Sequence, residues 1–146
     1  MEEKAENTLS EKIVLFLKKS TNLTLATSIN NIPYCANCFY AYDAERNLLI
    51  FKSDRETHHI EEALLNNKVA GTVLPDKLDS KKIKGIQFSG IFIDAKDELL
   101  DSFKKIYYRK YPFALTFAGE IWAVELTNIK MTDNTLGFGK KIHWKK

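Results

Sequence analysis

Apolar residues along this chain alternate between two periods, and the changes of period mark its elements. Leu9, Ile13, Phe16 and Leu17 recur at helical spacing behind Ser10, a candidate cap, and Asn22 is read as the helix end. NLTLATSI then brings Leu23, Leu25 and Ile29 with β-branched threonines, which predicts a strand. Asn30-Asn31 supplies the left-handed residues of a tight hairpin, and Pro33 opens a second strand over Tyr34–Tyr42. Asp43–Asn47 is a further turn, followed by the strand LLIFKS.

The period changes again at SDRETHHIEEALLNN. Ile60, Ala63 and Leu64 give helical spacing, with Thr57, Ser53 and Asp54 offering capping oxygens. Val69–Leu74 is a short apolar strand closed by Pro75, and IKGIQFSGIFID reads as a long one. Leu99, Leu100, Phe103, Ile106 and Tyr107 mark another amphipathic helix that ends near Tyr111-Pro112. IWAVELTNIKMT is a last strand, and TDNTLGFGKKIHWKK reads as a turn-rich tail. About six strands, three of them consecutive hairpin partners, favour an antiparallel sheet closed into a small barrel. A doubly wound parallel sheet would need a helix after nearly every strand.

Nothing divides the chain, so residues 1–146 are read as a single domain, with 1–20 as N-terminal tail and helix and 130–146 as C-terminal tail. Its composition, 45% hydrophobic and 28% charged, is that of an ordinary globular protein. A net charge of +3 suits an anionic ligand but is too small to argue for nucleic acid. The acidic start MEEKAENTLS has no apolar signal core, and no run approaches the ~20 apolar residues of a membrane span. The expectation from these features is a cytoplasmic protein, where thiols stay reduced.

The two cysteines stand in YCANCFY, spaced as CxxC. On a strand, Tyr34, Ala36, Cys38 and Tyr40 share one face, while Cys35, Asn37 and Phe39 share the other. Two sulfurs on opposite faces do not converge on zinc, and no second pair exists to complete a site. No metal is expected.

The chemistry lies downstream, in FKSDRETHHIEE. A strand ends there and a helix begins, so outward-pointing backbone N–H groups meet the donors Lys52, Ser53, Arg55, Thr57, His58 and His59. Such a cluster holds a phosphate group; a solvated, capped turn is the alternative reading of the same residues. Adjacent histidines in a helix point about 100° apart and rarely share a metal. The tail LGFGKKIHW offers Phe138 and Trp144 beside two glycines, either to cover a flat ring or to close the barrel. YYRKYPF reads as a helix face packed on the barrel, or as one wall of a pocket or dimer seam.

The stretch LTLATSINNIPYCANCFYAYDAERNLLIFKSDRETHHIEEALLNNKVAGTVLPD, with IKGIQFSG and IKMTDNTLGFGKKIHW, resembles the pyridoxamine 5'-phosphate oxidase-like family of FMN-binding split barrels, in an uncharacterised bacterial branch. The resemblance implies a mainly β fold, a six-stranded antiparallel split barrel with short helices, and a homodimer with FMN at the interface. It implies that the backbone of Ala36, Asn37, Cys38 and Phe39 lies along the isoalloxazine ring. Lys52, Ser53, Thr57, His58 and His59 match the phosphate-contacting strand end and helix start, and Gln87 or Lys84 matches the strand near the flavin. The chain departs from true pyridoxamine-phosphate oxidases. Cys35 and Tyr40 stand where those carry basic residues, and GFGKKIHWKK lacks their arginine- and histidine-containing motif. The expectation is a flavin-dependent oxidoreductase of another small-molecule substrate; the alternative is a non-catalytic binder or sensor of FMN, haem or another flat anionic ligand.

Overall fold

The computed structural model describes residues 8–137 and 140–146. Helix α1 spans Glu11–Lys19; Ser10 caps it, its side chain accepting from the Lys12 N–H, and Ile13, Phe16 and Leu17 are its buried stripe. The helix stops at Lys19, earlier than the Asn22 expected, because Ser20 is extended and its N–H closes onto Phe16 O.

Strands β1 (Asn22–Ile29) and β2 (Ile32–Asp43) form the expected hairpin, with Asn30 at φ 51 and Asn31 at φ 64. That double left-handed turn matches the right-handed twist of the strands it joins. β3 (Leu48–Ser53), α2 (His58–Leu65), β4 (Lys68–Val73), β5 (Lys84–Ile93), α3 (Asp97–Lys110), a 3-10 helix at Pro112–Thr116 and β6 (Glu120–Asp133) follow. A seventh strand, β7 (Lys141–Lys145), corrects the expected count of six and the turn-rich reading of the tail.

All pairings are antiparallel, in the order β3-β2-β1-β4-β5-β6-β7, and β3 also pairs with β6. The first six strands therefore close into a ring, and β7 extends the sheet from the far half of β6. β6 is long enough to do both: its Glu120–Glu125 end meets β3, while Asn128–Thr132 meets β7. The fold is a mostly β split barrel.

Two apolar layers hold it. Inside the ring, Leu23, Leu25, Tyr40, Phe51, Phe88, Trp122 and Val124 pack with the stripe of α1. Outside, α3 lays Phe103 and Tyr107 on Ile50, Ile121 and Ala123. Leu99, expected on that stripe, stays 42% exposed, while Leu100 beside it packs against this outer layer.

The split positions the site. β2 pairs with β1 along its first eight residues, but with β3 only over Tyr40–Asp43. Tyr40 N–H donates to Thr21 O. Alternation then turns the backbone N–H and C=O of Cys35 and Asn37 to the opposite edge, where no strand among the described residues pairs with them.

Candidate functional site

Past Phe51, β3 leaves β2 and follows β6, so Ser53 stands opposite the open edge of β2. The chain turns through Asp54–Glu56 and enters α2 at His58. His59 Nε2 is hydrogen-bonded to Ser53 Oγ at 2.7 Å, with Thr57 Oγ1 at 3.5 Å. The Cys38 thiol reaches in from β2, 4.0 Å from both Ser53 Oγ and His59 Nε2. Trp122 Nε1 donates to Ser53 O at 2.9 Å and fixes the strand end from below.

Thr57 is the N-cap residue of α2, but it does not cap. Its hydroxyl donates back to Asp54 O at 2.8 Å, and among the described residues no side-chain oxygen meets the first N–H groups of the helix. The capping role expected of Thr57, Ser53 and Asp54 is thus absent, and the unmatched donors with the helix dipole leave an anion-attracting end.

His58 points the other way. Its Nε2 lies 3.1 Å from Glu62 Oε2, one turn along, and the Tyr34 ring packs edge-on at 4.3 Å. Glu62 is buried and accepts from Thr27 Oγ1 at 2.7 Å, which ties α2 to β1. Burial lowers the His59 pKa from its usual 6.5, and the neighbouring His58 lowers it further. Burial raises the Cys38 thiol to about 11 against a smaller opposing effect of the Ser53 hydrogen bond, so Cys38 is a protonated wall group.

The structure therefore gathers Cys38, Ser53, Thr57 and His59, with His58 beside them. Ala36 is half-buried on the inward face with Cys38; Asn37 faces out, its Nδ2 donating to Asn22 Oδ1 at 3.0 Å and Thr24 Oγ1 at 3.1 Å. Phe39 is 58% exposed on that outward face. Lys52 turns from the cluster: its Nζ donates to Ala114 O and Phe117 O, each at 2.7 Å, and pins the 3-10 helix to the barrel. Lys84 lies in a separate recess with Lys19, Asp76 and Lys82, its Nζ 3.9 Å from Asp133 Oδ2. Gln87 shares an outward register row with Asn37, through Thr24 and Thr72. At ~4.8 Å per strand that separates them by roughly 14 Å.

Sequence reasoning missed Glu62, Thr27 and Trp122. Glu62 carried a signal, standing four residues after His58 on one helix face; Trp122 carried none. Phe138 lies outside the described residues. Trp144 is half-buried against the barrel core from β7, opposite Ile129. Among the described residues no helix is long and apolar enough to cross a membrane.

No family model matches the chain. A UPF0306 protein of Photorhabdus laumondii is 39% identical over 131 residues, spanning 90% of this chain and 92% of its own. Among known structures, a heme binding protein from Mycobacterium smegmatis superposes with a TM-score of 0.76 at 10% identity, over 89% of this chain and 55% of that one. A FAD-binding protein from Mesorhizobium loti gives 0.70 at 15% identity, over 86% and 95%. At such identities the structural likeness establishes the split-barrel fold. The sequence likeness establishes more: this chain belongs to the UPF0306 family.

Proposed function

Starting from membership of the UPF0306 family and from the split-barrel fold, we propose that this chain is an FMN-binding flavoprotein that acts as an oxidoreductase on a small molecule. One observation carries the reading: the open backbone edge of β2 faces an uncapped helix start. A flavin mononucleotide presents a flat ring, with donors and acceptors along one edge, and a phosphate at the far end of its ribityl chain. The unpaired N–H and C=O of Cys35 and Asn37 suit the ring edge. The first N–H groups of α2, with Ser53, Thr57 and His59 around them, suit the phosphate, while His58 is held away by Glu62. A flavin supplies the hydride or electron chemistry once bound.

The chain's own part is to bind and orient. Protonated Cys38 and neutral His59 keep the wall between ring and phosphate uncharged, while the dipole of α2 provides the positive field. Lys52 supports the site indirectly, by holding the 3-10 helix against the end of β3. Structural neighbours named as FAD- and heme-binding proteins support a flat anionic ligand on this fold. Vitamin B6 oxidation is not part of the reading, since Cys35 and Tyr40 replace the basic residues that the reaction's family carries.

The first neighbour favours a second reading, in which the same surface holds haem or FMN without turnover. The visible spectrum of purified protein, with mass identification of the released ligand, separates the cofactors. Reduction of the loaded protein by NADH or NADPH separates enzyme from binder. Ser53→Ala with His59→Ala should weaken FMN binding at least ~10-fold, as expected for lost charge-assisted contacts; unchanged affinity moves the phosphate elsewhere.

A further inference from the structure

A cavity of about 460 Å3 lies between α3 and the start of β6, within the ~300–1,000 Å3 range of small-molecule sites. Leu100, Tyr108, Leu115 and Trp122 form its apolar wall. Arg55, Lys96 and Lys104 stand on its rim, balanced by Asp94, Asp97 and Glu120. A shallower recess beside Thr57 shares Arg55, Gly119 and Glu120 with it, so the cavity opens toward the α2 turn.

Arg55 is the central group. Its Nε lies 3.1 Å from Glu120 Oε2 and its Nη2 3.2 Å from Oε1, a two-pronged grip, with Asp94 at 3.8 Å. The guanidinium also stacks 4.9 Å from the Trp122 ring. Arg55 and Glu120 are each about half exposed, so the pair contributes little to stability and exchanges readily for another carboxylate. A ligand carboxylate fits the same fork. Once it takes that place, Glu120 and Asp94 lose their cation. A purely anionic ligand leaves two carboxylates facing each other, whereas one that also carries an ammonium restores the balance.

We propose that this cavity binds a small zwitterion with an apolar, ring-sized body, of the α-amino acid class, with Arg55 gripping the carboxylate and Glu120 and Asp94 receiving the ammonium. Leu100, Tyr108 and Leu115 take the body. No bound flavin is needed for this: the carboxylate fork of Arg55 and the acidic pair Glu120 and Asp94 are in place without one.

The test titrates L-phenylalanine, 3-phenylpropionate and phenethylamine into the 15N-labelled full chain. The readout is the Trp122 indole N–H signal, identified as the one that persists in Trp144→Phe. Phenylalanine should shift it saturably, and each single-charge analogue should bind about tenfold or more weakly, the loss of one charge-assisted contact. Arg55→Ala should abolish the shift; Arg55→Lys, which keeps charge but loses the fork, should weaken it about tenfold. Arg55 is a surface residue, and the remaining signals report that the variants stay folded. Absence of any saturable shift overturns the site, and equal binding of phenylpropionate overturns the zwitterion. FMN is titrated into the same samples by flavin fluorescence, so failure of either result is read without the other.

Discussion

Cys35 and Cys38 show how much one step along a strand decides. Cys35 is exposed on the outward face, while Cys38 is buried beside His59 with its thiol raised to about 11. A thiol reagent at pH 8 should therefore leave Cys38 unmodified in the folded protein, as mapped by peptide mass, and reach it only after denaturant is added. Rapid double labelling would contradict the burial. His59 makes a second residue-scale prediction. Its pKa is lowered in the fold by burial and by His58, so above pH 6.5 both folded and unfolded chains carry it neutral and its contribution is complete. Below 6.5 the unfolded chain takes the proton first, and stability falls until the pH passes the lowered folded value. Urea midpoints measured between about pH 7.5 and 5 should show that decline. His59→Gln, which keeps a hydrogen-bonding group for Ser53, should remove this share of the slope.

At the scale of elements, close backbone approach is the constraint that sequence patterns express least. Gly71 lies on β4, where an added Cβ would sit 2.1 Å from Thr24 O and 2.4 Å from the Phe88 ring. Backbone of a paired strand cannot yield as a side chain can, so Gly71→Ala should destabilise the protein by about 2 kcal/mol, read from urea unfolding with an unchanged m-value. The same distinction explains what was legible. β1 coincides with NLTLATSI and its Leu23/Leu25 alternation, because a strand with one face in a barrel writes that burial into every second residue. β7 has the same alternation, Ile142 and Trp144 turned in between Lys141, His143 and Lys145, but the glycines and lysines before it suggested a turn. The site turn was legible as a strand end meeting a helix start. The direction of Lys52 was not: its partners Ala114 and Phe117 lie more than sixty positions away, and only the closure of β3 on β6 brings them near. Nor was the open edge of β2, which exists because β3 parts from β2 after Phe51 while staying paired with β6.

For the whole molecule, the outward face of the sheet asks for a partner. Cys35, Ala26, Ala70, Ser89 and Asn128 lie in one register row across five strands, small groups that let a second sheet approach closely. Phe39, Phe113 and Phe117, each at least 58% exposed, are linked in a chain of ring contacts through Tyr111. Asn37 and Gln87, which the family resemblance would bring near the flavin, sit roughly 14 Å apart on that face in one chain. A single isoalloxazine ring touches both most directly when one residue comes from each of two subunits. The expectation is a homodimer, twice the 16.8 kDa chain mass by light scattering, with the cofactor at the seam. Ala70→Arg should give the monomer mass with an unchanged circular dichroism spectrum, since its side chain points out of the barrel. FMN affinity should fall by about tenfold or more in the same variant, as contacts supplied by the second copy are lost. A monomeric Ala70→Arg that still binds FMN as tightly as the parent would move the cofactor off the interface, leaving the open edge of β2 and the start of α2 to hold it within one chain.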